Sequence, residues 1–188
     1  MTGGSILEFF ETVIARHSYR GEFEPTPVPH EDLVKICEAG IHAPTAGNMQ
    51  SQRFYVVTDP GILNKIRDIF NPPDAQFKQM GVATAPALIL LVSKLLKFGD
   101  RGDSPFELQD YGAAAQNVLL AIADLGYSTV WTDGHTNFTT SFQEKIGSII
   151  DLDEDARVRA VLPVGIPKEK GWKQAPRKSF EELTKFYE

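Results

Sequence analysis

Residues 85–93 read APALILLVS, a run in which both alternating sets of side chains are almost entirely apolar. A short run that is apolar on both faces predicts a strand at the centre of a sheet, covered by other elements on each side. Its continuous apolar part, residues 85–92, has the length of a strand and is too short to cross a bilayer. We therefore expect a buried central strand and no membrane-spanning segment.

Strand and helix patterns alternate on both sides of this central run. Further strands are predicted at residues 54–58, 128–132 and 158–164. Helices are predicted at residues 6–14, 33–41, 62–70, 109–125, 138–150 and 179–187, several of them with apolar side chains three and four positions apart. Ala113, Ala114 and Ala115 in the longest helix favour close contact with another helix. Because no repeat or linker interrupts the pattern, residues 1–188 are expected to form one α/β or α+β sandwich domain.

Composition excludes several classes of function. The formal net charge of −6 argues against a nucleic-acid-binding surface. The single cysteine, Cys37, excludes an intramolecular disulfide and a cysteine-built metal site, and its place on an apolar helix face predicts an unreactive thiol. The four histidines are too scattered in the sequence for a metal-ligand motif, so no metal site is predicted. No basic region followed by an apolar run opens the chain, and we expect a cytoplasmic protein.

Polar segments stand at three junctions of the predicted elements. Residues 16–20 read RHSYR, and two guanidiniums four positions apart can hold a phosphate and a second anionic or carbonyl group, although a solvated helix end has the same composition. Residues 44–50 read PTAGNMQ, a turn that is either a connector or one wall of a ligand site. Residues 175–179 read APRKS and place two more cations just before a helix.

These segments occur in an order that resembles the FMN-dependent nitroreductase-like family. Between residues 16 and 177 the chain carries the similar segments RHSYR, Phe23, PVP at 27–29, APTAGNMQ at 43–50, DYGAA at 110–114, Gln116 and Asn117, Leu125 and Gly126, and GIP at 165–167. The resemblance implies an α+β sandwich around a mixed central sheet flanked by helices. It also implies an intertwined homodimer with one FMN in each of two interface sites.

The resemblance also implies roles for individual residues. Contacts to the FMN phosphate and ribityl tail are expected from Arg16, His17, Arg177 and Lys178. Contacts near the pyrimidine edge of the flavin are expected from Ser18 and Arg20, where a fixed guanidinium stabilises the negative charge of the reduced ring. The wall contributed by the partner subunit is expected from Pro44, Thr45, Ala46 and Asn48. A backbone N–H beside the hydride-accepting nitrogen is expected from the segment of Asp133 and Gly134.

The implied activity is an oxidoreduction in two halves. NADH or NADPH would deliver a hydride to the flavin and leave, and an electron-poor acceptor such as a nitroaromatic or a quinone would then occupy the same face. No catalytic side chain is assigned, because water can supply the proton. Two alternatives stay open: other flavin chemistry on the same fold, either reductive dehalogenation or flavin breakdown, and a non-enzymatic flavin-binding protein that keeps the phosphate cations but lacks open space over the ring.

Overall fold

The computed structural model describes residues 8–97, 99–134 and 141–188. Three strands lie in this part of the chain: β1 (Gln52–Val57), β2 (Ala87–Lys94) and β3 (Ala156–Val164). The helices in chain order are α1 (Phe9–Ala15), α2 (His30–Ile41), α3 (Pro60–Phe70), α4 (Met80–Thr84), α5 (Glu107–Asp124), α6 (Phe142–Ile150) and α7 (Phe180–Leu183). Short 3-10 turns occupy Ala46–Asn48 and Gly99–Arg101.

The sheet has the order β1-β2-β3, so the APALILLVS segment supplies the central strand, as predicted. Both neighbours pair with β2 in antiparallel orientation. The sheet is therefore antiparallel rather than mixed, and the one parallel pairing among the described residues is an isolated bridge between Ser18 and Thr129. The predicted strand at 128–132 lies beside β3 but forms single antiparallel bridges rather than a continuous ladder, Ser128 with Gly165 and Thr132 with Val161.

Side chains of β2 alternate between two hydrophobic clusters on opposite faces of the sheet. Leu88, Leu90 and Val92 pack on one face with the buried side chains of α3 and α6. Ala87, Ile89 and Leu91 pack on the other face with those of α2 and α5. This alternation is the period-two pattern of a strand covered on both sides. The result is a three-layer sandwich with the sheet in the middle.

The α2–α5 layer depends on small residues at its crossing. Ala114 and Ala115 are buried, which agrees with the close contact predicted for this part of α5. A Cβ added to Gly40 of α2 would lie 2.5 Å from the Phe54 ring and 2.8 Å from Val118, so only glycine permits this approach. The amide of Asn117 donates a 3.0 Å hydrogen bond to the carbonyl oxygen of Ala39 and fixes the register of the two helices.

A β-bulge in β3 redirects one charged side chain. Leu91 pairs with Ala160 while Val92 pairs with Val158, so Arg159 is the extra residue. Its Nε and Nη2 atoms each donate a 2.7 Å hydrogen bond to the Glu107 carboxylate at the start of α5. Both side chains are mostly buried, with 22% of Arg159 and 10% of Glu107 exposed. The bulge thus connects the sheet to the first turn of α5 through a bidentate ion pair.

Two predicted helices, at 138–150 and 179–187, differ from the structure in their length. The helix predicted at 179–187 is correct only at its start, where Ser179 and Glu182 form a capping box. After Leu183 the backbone is extended, with Thr184 at φ −128° and ψ 141°. None of its residues is buried, and a short helix without a buried face is marginally stable, which accounts for its early end. The helix predicted at 138–150 is observed from Phe142, and residues 138–140 lie outside the described residues.

Candidate functional site

The RHS segment that follows α1 lines two adjoining cavities. One, of about 180 Å³, lies between Arg16, His17 and the second half of α5. The other, of about 190 Å³, is lined by Arg16, His17 and Ser18 together with Gln116 and Trp131. The His17 ring places Nδ1 2.9 Å from the Ala15 carbonyl oxygen. The structure therefore brings together Arg16, His17 and Ser18, three of the predicted cofactor contacts.

The 128–132 segment forms the floor shared by these cavities. The Tyr19 amide donates a 2.8 Å hydrogen bond to the Thr129 carbonyl oxygen, which holds the segment against Ser18. Thr129 itself is 2% exposed and lines both cavities. Its hydroxyl has no hydrogen-bond partner among the residues that the structure describes. A buried hydroxyl without a partner is costly, so the floor offers one polar group to a ligand.

The segment with the C-terminal cations returns to the end of α1. Gln174 donates hydrogen bonds from Nε2 to the carbonyl oxygens of Val13 and Arg16, at 3.2 and 3.0 Å. Its Oε1 accepts a 3.3 Å hydrogen bond from Nε of Arg177. Burial, and then the positive charge of Arg177, lower the pKa of the Arg16 guanidinium. Two cations 161 positions apart in sequence thus lie close enough to repel each other.

Two other predicted cations lie at the surface of the single chain. Arg20 and Lys178 are both exposed. Neither lines the two cavities beside Arg16. The single chain therefore leaves both side chains accessible from outside the fold.

The PTAGNMQ turn is held in an unusual conformation by polar contacts. Gly47, Asn48 and Gln50 have φ values of 55°, 54° and 49°, a region that non-glycine residues seldom adopt. The Ala46 amide donates a 2.8 Å hydrogen bond to Oδ1 of Asp110, which is 5% exposed. The Gln50 amide donates to the Thr45 hydroxyl at 3.1 Å. A turn with these constraints is more than a loose connector between α2 and β1.

The turn and the Arg16 cavities lie at different levels of α5. Asp110, which anchors the turn, is in the first turn of the helix, whereas Leu119 and Ala123 line the cavity beside Arg16. At 1.5 Å per residue this separation along the helix axis is about 14–20 Å, and Gln116, which lines the second cavity, is about 9 Å along the axis from Asp110. The predicted contacts Pro44, Thr45, Ala46 and Asn48 are therefore not part of the Arg16 cavities of the same chain.

Asp133 and Gly134 follow the cavity floor directly. Trp131 lines the second cavity and packs edge to face on Tyr111, with ring centroids 5.5 Å apart. Burial, and then the negative charge of Asp133, raise the pKa of the Tyr111 phenol. A Cβ at Gly134 would meet no described atom within 4 Å. Neither residue lines the Arg16 cavities, and both follow Trp131, which lines the second cavity, by two and three positions.

Sequence reasoning missed two residues that organise this region. Gln174 carries no motif, and its only signal is its position three residues before Arg177. Asp110 was recognised as a family marker, but its contact with the turn depends on the packing of α5 against α2. No group of three histidine, cysteine or acidic side chains within the described ranges is arranged to hold a metal ion. No helix in that part of the chain is long and apolar enough to cross a membrane.

The Cys37 thiol is half-buried on α2 and lies outside the two hydrophobic clusters of the core. Burial raises its pKa to about 11. Because the thiolate is the reactive form, the raised pKa disfavours reaction at neutral pH.

Comparison with known proteins finds relatives that match most of the chain. A protein of Archaeoglobus fulgidus, provisionally named an NADH dehydrogenase/NAD(P)H nitroreductase, is 29% identical over 165 residues, covering 86% of this chain and 87% of the relative. Rat iodotyrosine deiodinase 1 is 25% identical over 183 residues, covering 85% of this chain and 62% of the relative. The solved structure of a Bacteroides fragilis nitroreductase with bound FMN has the same fold, with a TM-score of 0.75, 20% identity and coverage of 96% and 100%.

The family model for the nitroreductase family matches residues 13–166. This range includes α2 to α6, all three strands, the RHSYR segment and the PTAGNMQ turn. The chain therefore belongs to the nitroreductase family.

Proposed function

We propose that this protein is an FMN-dependent oxidoreductase that takes electrons from NADH or NADPH and reduces a nitroaromatic or quinone acceptor by a ping-pong mechanism. The observation that carries the proposal is the pairing of Arg16 and Arg177 beside the RHS cavities. Two neighbouring guanidiniums are a binding site for a phosphate monoester, because the anion converts their repulsion into charge-assisted hydrogen bonds.

A second observation supports the binding of FMN at these cavities. The Thr129 hydroxyl is buried, has no partner in the described part of the chain and belongs to a residue that lines the same cavities as Arg16. We assign Arg16, His17, Arg177 and Lys178 to the phosphate and ribityl tail, and Ser18 and Arg20 to the pyrimidine edge. A backbone N–H in the segment of Asp133 and Gly134 is assigned to the hydride-accepting nitrogen.

The chain itself supplies position and charge. FMN, when bound, supplies the hydride and electron chemistry. The guanidinium of Arg20 stabilises negative charge at the pyrimidine edge, and the backbone at Gly134 leaves space over the ring for the nicotinamide and then the acceptor. Water delivers the proton to the acceptor, so no side chain is assigned as a general acid.

The site of one chain is too small for the whole cofactor. Cavities of about 180 and 190 Å³ are smaller than the 300–1,000 Å³ typical of pockets that enclose a drug-sized ligand. The PTAGNMQ turn, which is rigid enough to serve as a wall, lies elsewhere on the same chain. We therefore propose a homodimer in which Pro44, Thr45, Ala46 and Asn48 of each chain complete the site of the other.

Exposed apolar side chains at both ends of the chain support this assembly. Phe10 on α1 is 77% exposed and Phe186 in the C-terminal segment is 70% exposed. Phe9, Ile14, Phe180, Leu183 and Tyr187 are exposed in the same two regions. A groove of about 880 Å³ between α2 and the edge strand β1 has an apolar lining that includes Leu33, Val34, Ile41 and Phe54. We propose that the C-terminal segment of one subunit lies in this α2–β1 groove of the other.

The homodimer leads to a prediction about mass. The wild-type protein is expected to scatter light with twice the 20.8 kDa mass of one chain at low micromolar concentration. Phe186→Asp would place a charge in the apolar groove, which is costly without a partner, and should shift the equilibrium to monomer. Ser148→Asp, on the exposed side of α6, introduces the same charge away from the groove and should stay dimeric. A wild-type monomer that retains FMN would contradict the shared site.

The contact between Asp110 and Ala46 leads to a prediction about cofactor affinity. Asp110→Ala removes the acceptor that holds the turn, and FMN affinity should fall about tenfold, the equivalent of one buried hydrogen bond. Asp110→Asn keeps a carbonyl acceptor at this position and should retain most of the affinity. Fluorescence titration of the apoprotein with FMN measures both. Equal affinities of Asp110→Ala and the wild type would remove the turn from the binding site.

One anaerobic experiment tests the proposed function. The purified protein should release FMN on denaturation, as identified by mass spectrometry, and its visible flavin absorbance should disappear on mixing with NADH or NADPH. Addition of a quinone or a nitroaromatic should restore the absorbance. A flavin that neither nicotinamide reduces would support the non-enzymatic binding protein, and a protein with no flavin affinity would refute the proposal.

Reductive dehalogenation is the second candidate, because one relative is an iodotyrosine deiodinase. The chain covers only 62% of that relative's length. Release of iodide from iodotyrosine by the dithionite-reduced protein, with no turnover of quinones, would favour the dehalogenase over the proposed reductase.

A further inference from the structure

We infer that Gln174 is a positioning residue that builds the phosphate site and sets the preference of this protein for FMN over riboflavin. The inference rests on the proposed function, since it concerns the same site. Gln174 contacts the end of α1 and Arg177, and so joins the two segments that supply the cations.

The side-chain amide of Gln174 uses both its nitrogen and its oxygen at this point. A primary amide has two N–H donors and a carbonyl acceptor. The donors go to the carbonyl oxygens of Val13 and Arg16, and the acceptor receives Nε of Arg177. Residues at the end of a helix have carbonyl groups without intrahelical partners, and Gln174 satisfies that requirement for Val13. An ordinary helix cap needs only the donors, so the bond to Arg177 is an additional function.

The positive charges of Arg16 and Arg177 explain why the hydrogen bond from Arg177 to Gln174 is needed. Burial, and then the charge of Arg177, lower the pKa of the Arg16 guanidinium, which shows that the two cations disfavour each other. Arg177 is exposed, and its hydrogen bond to Gln174 is the only one it makes with the described residues. Without Gln174, repulsion and side-chain entropy would both move Arg177 away from Arg16. With Gln174, the pair is in place before the phosphate arrives.

Riboflavin separates this role from general effects on the fold. It has the same ring as FMN but lacks the phosphate, so it does not use the Arg16–Arg177 pair. A change that only loosens α1 should weaken both flavins alike. A change that displaces Arg177 should weaken FMN alone. The ratio of the two dissociation constants therefore reports on the phosphate site.

The experiment titrates the dimeric apoprotein with FMN and with riboflavin for the wild type and three variants. Gln174→Ala should raise the dissociation constant for FMN about tenfold and leave that for riboflavin within about twofold. Gln174→Glu should weaken FMN further, because a carboxylate cannot donate to the α1 carbonyls and repels the phosphate. Gln143→Ala is the matched control, since it loses two hydrogen bonds of a glutamine amide to the backbone of Val158 without touching this site.

The outcomes separate the inference from the proposed function. A wild type that does not prefer FMN over riboflavin refutes the phosphate site and the inference with it. A wild type that prefers FMN, together with a Gln174→Ala variant of unchanged preference, refutes the inference alone. Equal weakening of both flavins by Gln174→Ala, or equal effects of the Ala and Glu variants on FMN, would reduce Gln174 to a structural cap and also overturn it.

Discussion

Glu107→Ala is expected to lower the free energy of unfolding by about 3 kcal/mol, a decrease of about 6–12 °C in the melting temperature of a domain of this size. The change removes both 2.7 Å bonds from Arg159, which the bulge in β3 has turned toward α5. Removing one member of a buried ion pair is costly because the other charge stays desolvated. Thermal and denaturant unfolding, both at one fixed protein concentration, measure the effect.

Two variants show whether the effect comes from burial. Lys97→Ala breaks an ion pair with Asp103 whose side chains are 74% and 72% exposed, and should change stability by less than about 0.5 kcal/mol. The double variant Glu107→Leu/Arg159→Met replaces the buried pair by apolar side chains and should recover most of the lost stability. If Glu107→Ala unfolds at the same denaturant concentration as Lys97→Ala, the ion pair does not contribute to stability.

The contrast between this ion pair and the central strand shows what a sequence pattern can predict. The APALILLVS segment predicts its own environment, because a strand with apolar side chains on both faces is stable only when it is buried between two layers. A β-bulge has no comparable pattern in the sequence. Arg159 is the extra residue only because Leu91 and Val92 pair with residues on either side of it, and pairing is a property of two strands together.

The helices near the two ends of the chain also show that a sequence pattern does not predict packing partners. The spacing of Phe9, Phe10 and Ile14 predicts a helix, and α1 is observed. Which surface covers that apolar face is not encoded in the spacing, and in the single chain these side chains are exposed. The early end of α7 has the same origin, since none of its residues is buried within the chain. Local patterns predict an element, whereas its partners depend on the assembly.

The candidate site combines cations from two segments that are far apart in the sequence. RHSYR and APRKS were recognised as two separate segments, and the structure brings Arg16 and Arg177 together. The hydrogen bonds by which Gln174 joins the two segments could not be predicted, because Gln174 is 158 positions from the carbonyl group of Arg16 that it contacts. Long-range polar contacts of this kind arise only when the chain has folded.

Arg20→Ala is expected to lower the two-electron midpoint potential of bound FMN by about 30–60 mV and to slow its reduction by NADH or NADPH. Arg20 is proposed to lie at the pyrimidine edge, where its charge interacts more strongly with the anionic reduced flavin than with the neutral oxidised flavin. A charge-assisted hydrogen bond is worth about 1.5–3 kcal/mol, and 1.4 kcal/mol corresponds to about 30 mV for two electrons. Anaerobic redox titration at saturating FMN measures the potential.

Two further arginine variants serve as controls for this prediction. Arg177→Ala acts at the phosphate, where the charge of the ligand does not change on reduction, so it should weaken FMN binding and leave the potential near that of the wild type. Arg20→Lys keeps the positive charge without the planar fork and should give an intermediate potential. Arg20 is exposed in the single chain, and a role only as a solvated surface charge predicts the wild-type potential for all three variants. A wild-type potential for Arg20→Ala would therefore remove Arg20 from the flavin site, whereas a lower potential for Arg20→Ala with an unchanged potential for Arg177→Ala would place the Arg20 charge beside the ring.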